Sequence, residues 1–332
     1  MLTLSHLFVH TPPTAAFDAV QAQERNIGYG YLATPTAGFA KPRGRGCITF
    51  DETRRLARTT PARLPIAAEG VRLSDLAAHA VDGLARLAGP QAVGRTTEIV
   101  VAQATLNEQI VESVAGRVQH LLGLRSAMPM GLAQCGTLGL YAALALAEGL
   151  LGGDDQMAFV AADKWLYPFF RVHGDTVAYG DASASLLIRR SAPATGIRVL
   201  GHVLVMGEAL DDPWTLAPDA LARRLDDPAR EAATQALALA GLPASRLDRF
   251  VPACFAPAFA RRLCAALDVD PARVPAPGRE AHLSSSETIF ALAEAQAALA
   301  PGERALALFC DVALAGMSGA LVAELTGPPR LP

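Results

Sequence analysis

The chain has 332 residues, a formal net charge of −3, 51% apolar residues and only 18% charged ones. Such a chain can bury a large core, which excludes disorder of the whole, and its near-neutral balance argues against bulk nucleic-acid binding. No apolar run reaches the roughly 18 residues of a membrane span, and the opening Met-Leu-Thr-Leu-Ser-His has no basic region, so neither a span nor a signal peptide is expected.

In chain order, residues 14–65 are loop-rich, with Gly28-Tyr-Gly-Tyr and Lys41-Pro-Arg-Gly-Arg-Gly, and read as an insertion. Leu73–Leu87 then reads as an amphipathic helix, Glu98–Gln103 as a strand and Val114–Leu122 as a second helix. The small-residue turn Gly131–Thr137 opens an Ala-rich helix, Leu138–Leu150. The strand Met157–Ala162 follows, and the strand after Gly180 closes the series. The order then repeats: helix Arg230–Ala240, strand Arg249–Ala253, helix Ala258–Leu267, turn Arg279–Ser286, Ala-rich helix Thr288–Leu299, strand Ala305–Cys310 and a last strand after Gly316. A duplication of this kind divides the chain into 1–192 and 193–332. Strands alternating with helices predict a mostly parallel sheet covered on both faces. The Ala-rich helices are apolar all round and are expected between two sheet layers, with their N-termini facing each other. That places Cys135 and His282 at matched positions of the two halves.

The cysteines are Cys47, Cys135, Cys254, Cys264 and Cys310. Scattered and without CxxC spacing, they point to a reducing, cytoplasmic setting and to no metal site. Cys135 alone stands at a turn before a buried helix. A helix N-terminus stabilises a thiolate, and its free N–H groups can hold an oxyanion. Gly136 lets the backbone approach a ligand closely. The alternative is a small packed thiol.

The run Ala133-Gln-Cys-Gly-Thr-Leu-Gly resembles the nucleophile segment of ketoacyl-ACP synthase III. Val114-Ala-Gly-Arg-Val-Gln-His-Leu-Leu-Gly resembles that family's upstream helix, and Tyr179-Gly-Asp-Ala-Ser-Ala its later turn, in the same order and spacing. The resemblance covers roughly residues 73–325. It implies the thiolase fold, with duplicated βαβαβαββ halves in five layers, αβαβα. It also implies an acyl-thioester on Cys135, an acyl-CoA or acyl carrier protein as partner, no further cofactor, and a homodimer or a heterodimer with a paralogue.

The family's general-base His is replaced here by Ala253, and its Asn turn reads Ala281-His-Leu-Ser-Ser-Ser-Glu. Malonyl decarboxylation is therefore in doubt, and His282 is the residue placed to act as base, with Glu287 to orient it. The alternatives are a His packed at its turn and a first-turn carboxylate facing the helix dipole. Gly316 fits the turn whose N–H completes the family's oxyanion hole beside Gly136. Trp165, Phe169 and His173 belong to an aromatic loop that lines an acyl pocket or a dimer contact. Arg261 and Arg262, and separately Lys41, Arg43 and Arg45, are candidates for a phosphate-binding surface, or else a solvated face. The reading is an acyltransferase of specialised biosynthesis. The rivals are a decarboxylating synthase and a non-catalytic partner subunit.

Overall fold

The computed structural model describes residues 1–17, 62–105, 107, 111–133, 135–165, 171–173, 176–190, 196–207, 216, 218–253, 255, 257–276 and 278–328. Strand β1 (Thr3–His10) is followed by a ribbon of β2 (Thr14–Phe17) and β3 (Ala62–Pro65), whose antiparallel pairing draws together the two ends of the insertion. The rest of the first half is α1 (Leu73–Val93), β4 (Thr96–Gln103), α2 (Val114–Leu122), β5 (Met128–Ala133), α3 (Gly139–Leu150), β6 (Gln156–Asp163), the short β7 (Val172–His173) and β8 (Val177–Ala178), and β9 (Ala182–Arg189). The second half is β10 (Ile197–Met206), α4 (Pro218–Ala240), β11 (Arg249–Pro252), α5 (Pro257–Leu267), α6 (Glu287–Ala297), β12 (Arg304–Val312) and β13 (Met317–Thr326).

Nine strands form one sheet in the order β11-β12-β13-β10-β1-β9-β6-β4-β5. It is two layers joined at a seam, because β1 and β10 pair only at Thr3↔Arg198 and Leu4↔Ile197. Helices α3 and α6 share one apolar core with strands of both layers, including Leu140, Tyr141, Leu144, Ile289 and Leu292. Helices α1 and α2 cover the far face of the first layer, and α4 and α5 the far face of the second. The five-layered αβαβα stack follows. Each fully buried Leu, Ile or Phe in the central layer contributes about 1.5–3 kcal/mol relative to exposure.

The sheet is mixed, which corrects the mostly parallel expectation. Only β4–β5, β4–β6 and β11–β12 are parallel. Strand β9 runs antiparallel to β6, and β13 to β12, because no helix among the described residues separates either pair along the chain. Two helices differ from the sequence pattern. Helix α1 continues beyond residue 87 through a kink at Gly89, whose φ is 76°, and Pro90. Helix α4 begins well before residue 230 and carries Pro228 inside it.

Candidate active site

A left-handed residue sets each turn that precedes a central helix. Gly136 has φ 55° and Ser284 φ 52°. Helix α3 starts at Gly139 and α6 at Glu287, each the third residue on. This matching register places Leu283 opposite Cys135, and His282 opposite position 134. The equivalence of Cys135 and His282 is therefore offset by one residue.

Cys135 is half-buried, and its carbonyl accepts the Leu138 N–H at 3.1 Å in the tight turn before α3. A Cβ on Gly136 would meet the Ala313 Cβ at 2.6 Å, and the Thr137 hydroxyl donates to the Val312 carbonyl at 3.3 Å. The turn holding Cys135 thus docks on the β12–β13 turn of the other half. Burial pushes the Cys135 thiol above its ordinary value of 9.0, opposite to the expected thiolate stabilisation. The thiol lies a turn ahead of the helix, where the dipole has faded, and desolvation prevails. Among the described residues no hydrogen bond reaches the thiol.

The oxyanion assignment of Gly316 is also corrected. Its N–H donates to the Ala313 carbonyl at 2.9 Å, and the Ala313 N–H donates to the Met317 carbonyl at 2.8 Å, so the turn uses its own donors. The backbone N–H groups of Cys135 and Gly136 make no hydrogen bond among the described residues. Both belong to the same turn as the thiol.

His282 is fully buried, and its ring has two partners. The Ser284 N–H donates to Nδ1 at 3.0 Å, which assigns the proton to Nε2, and Nε2 donates to Asp311 Oδ1 at 3.0 Å. Its backbone bridges to Tyr179 of the first half, accepting the Gly180 N–H at 3.0 Å and donating to Ala178 at 2.8 Å. The rings of Tyr179 and Phe255 contact the imidazole edge to face at 5.4 and 5.2 Å. Burial pulls the His282 pKa down, but Asp311 and Glu287 outweigh it and hold the ring above its ordinary value. Burial likewise raises the Asp311 carboxyl against the pull of His282, so the pair holds its shared proton tightly. An imidazole saturated on both nitrogens is a structural group, not a base facing Cys135.

Asp311, not Glu287, orients His282. Glu287 Oε2 stands 3.9 Å from Nδ1 and accepts the Leu283 N–H at 2.8 Å, while Oε1 pairs with Arg279 at 2.8 Å. Burial raises the Glu287 pKa, but Arg279, His282 and the Leu283 N–H bring it down to about 2. Asp163, at the end of β6, was not singled out in the sequence. It accepts N–H groups of Ala104 (2.7 Å), Thr105 (2.9 Å) and Ser285 (2.8 Å) and so ties α6's turn to the first half; burial raises its carboxyl to about 6. The only sequence signal for Asp163 or Asp311 is a carboxylate at the end of an otherwise apolar strand.

Trp165 stacks on Tyr179 at 4.6 Å and donates from Nε1 to Ser284 Oγ at 3.0 Å. It buttresses the His282 turn. His173 pairs through its backbone with Val177, while Phe169, Lys41, Arg43, Arg45, Cys47 and Cys254 lie outside the described residues. Arg262 is committed to Asp226 of α4, at 3.0 Å from its NH2 nitrogen, so it is no phosphate ligand; Arg261 is exposed. Cys264 and Cys310 are buried. Ala253 is buried with its N–H on the Cys310 carbonyl at 2.8 Å, and supplies no acid or base.

No family model matches the chain, and no curated protein matches it by sequence. Solved structures do. ChlB3, described as an acyltransferase, superposes with a TM-score of 0.71 at 17% identity over 98% of each chain. The 3-oxoacyl-(acyl carrier protein) synthase III FabH of Pseudomonas aeruginosa PAO1 gives 0.65 at 17% identity over 100% of this chain and 99% of that one. A Xanthomonas campestris OleA variant with bound lauric acid and lauroyl-CoA gives 0.69 at 15% identity over 98% of each. The chain shares the fold of these three proteins. Within this fold the turn before α3 carries Cys135, while the matched second-half turn holds the halves together.

Proposed function

We propose that the chain is a thioester-dependent acyltransferase. The Cys135 thiol attacks an acyl-CoA or acyl carrier protein thioester, a new carbon–sulfur bond forms, and the departing thiol takes the proton. An oxygen, nitrogen or carbon nucleophile then takes the acyl group from Cys135. The observation that carries this reading is the position of Cys135, half-buried on a left-handed glycine turn beside two N–H groups that make no hydrogen bond among the described residues. Transfer to a ready nucleophile needs no decarboxylation, which fits Ala253 and a saturated His282. ChlB3, with its description as an acyltransferase, supports the same direction.

The saturation of His282 also favours a second reading, a partner subunit that keeps the fold and performs no chemistry. The test exposes the protein to a panel of acyl-CoAs and acyl carrier proteins and maps the acylated peptide. Acylation of the peptide holding Cys135, without carbon dioxide release when malonyl carrier protein is added, supports the transferase. Carbon dioxide release would move the chain to the condensing enzymes, and no acylation by any donor would move it to the partner reading.

A further inference from the structure

A row of directly paired residues crosses the middle of the sheet: Gln156 of β6, Arg189 of β9, Thr3 of β1, Arg198 of β10 and Glu324 of β13. Directly paired residues share a face of the sheet. Their neighbours Leu2, Leu4, Ile188 and Ile197 belong to the central core, so the row lies on the outer face. It spans the seam between the layers, at the end where β4 and β6 begin. Cys135 follows the opposite end of β5, a strand's length away, roughly 23 Å at about 3.3 Å per residue.

Charge on this row does not balance. Arg198 and Arg304 share the Glu324 carboxylate, at 3.1 and 3.5 Å. Arg189 meets no carboxylate among the described residues; its Nε donates to the Gln156 amide oxygen. Gln156 in turn donates from Nε2 to the Ala92 carbonyl and to Thr96 Oγ1, at 2.9 Å each. Further cations crowd the guanidinium. Burial and the charge of Arg95 push the Arg189 pKa below its ordinary value, and burial and Arg189 do the same to His6 on the bulge of β1. Arg189 Nη2, Arg198 Nε and Thr3 Oγ1 are buried and make no hydrogen bond among the described residues. Thr3 is 1% exposed, whereas the Arg198 side chain is 39% exposed, so the row opens to solvent on the side of Arg198. A half-buried cation without a counter-charge is costly. The planar guanidinium fork matches a tetrahedral oxyanion, and a hydroxyl adds a donor of its own.

We propose that Arg189, Arg198 and the Thr3 hydroxyl bind a free inorganic oxyanion of the phosphate class at the seam between the two layers. The ion enters past Arg198, whose exposed side chain swings aside and closes over it. The site does not depend on acylation at Cys135. It is tested on the full chain by titration calorimetry and thermal melts with inorganic phosphate, with sodium chloride holding the ionic strength constant. One phosphate per chain is expected, with a melting temperature that rises with phosphate concentration. Glycerol 3-phosphate, which carries the same group on a bulkier alcohol, should bind at least tenfold more weakly, because the Thr3 side is closed. Arg198→Gln should weaken phosphate roughly tenfold, and Thr3→Val, which keeps the side-chain shape, roughly threefold or more. Glu324→Gln releases Arg198 from its carboxylate and should tighten binding severalfold. Arg189→Gln should abolish binding; if that variant fails to fold, Arg198→Gln and Thr3→Val decide the matter. No binding of phosphate, equal binding of glycerol 3-phosphate, binding unchanged by Arg198→Gln and Thr3→Val, or binding weakened by Glu324→Gln overturns the proposal.

Discussion

At the scale of single residues, the chemistry of Cys135 is set by what surrounds its sulfur. Burial raises the thiol above 9.0 and His282 is committed elsewhere, so the reactive thiolate forms only as the pH rises. The acylation rate is expected to climb through pH 9 without a plateau near neutrality, and to be the same within a few-fold in His282→Ala. Stopped assays with an acyl-CoA across pH 6–10 check this. A plateau near pH 7, or a loss of the ~10²–10⁴-fold that a general base contributes, would instead make His282 the base. The substitution should still cost stability, roughly 3–5 kcal/mol, because it strands the buried Asp311 carboxylate. None of this was legible in the sequence. The motif located Cys135 and His282, but the partners of the imidazole come from β12 and the Ser284 backbone, which only the fold brings together.

The two central helices carry the argument at the scale of elements. Their Ala-rich composition and the turns before them made both helices readable, and the structure finds them between the layers. The sequence left the turns within a residue of register; the left-handed pair Gly136 and Ser284 fixes them. Gly136→Ala should destabilise the fold, because left-handed backbone costs about 1–2 kcal/mol outside glycine and the new Cβ would meet Ala313 at 2.6 Å. The shift in urea midpoint measures it. At the start of α6, the folded-state pKa of Glu287 is depressed to about 2 from 4.5. A depressed carboxyl contributes stability above its unfolded value and loses it as the pH falls through the folded one. The stability gap between the wild type and Glu287→Gln should therefore be full above pH 5 and close as the pH falls from 4.5 toward 2, read by urea melts across that range. What was not legible is that no strand among the described residues stands for β5 in the second half, although Pro275 and Pro277 were a signal in the sequence: they remove N–H groups from the segment where β5's counterpart belongs.

Across the whole molecule, the duplication explains both what the two halves share and where they part. They share the layer order and the buried helices. They part at the outer edges, where β5 is present and no counterpart stands among the described residues. Strand β5 is apolar from Met128 to Ala133, half-buried to exposed throughout, and among the described residues pairs only with β4. A long apolar edge of this kind seeks a partner strand. We expect two copies to join along β5, with light scattering giving twice the monomer mass and Met130→Glu giving the monomer. A wild-type monomer would contradict this. At the same scale, the proposed transfer requires that the fold present one working thiol. Intact mass after incubation with acyl-CoAs tests it most directly. A single acyl adduct is expected on the wild type, more of it at pH 9 than at pH 7, and none on Cys135→Ala. An adduct that persists in Cys135→Ala, or none on the wild type at either pH, would contradict it.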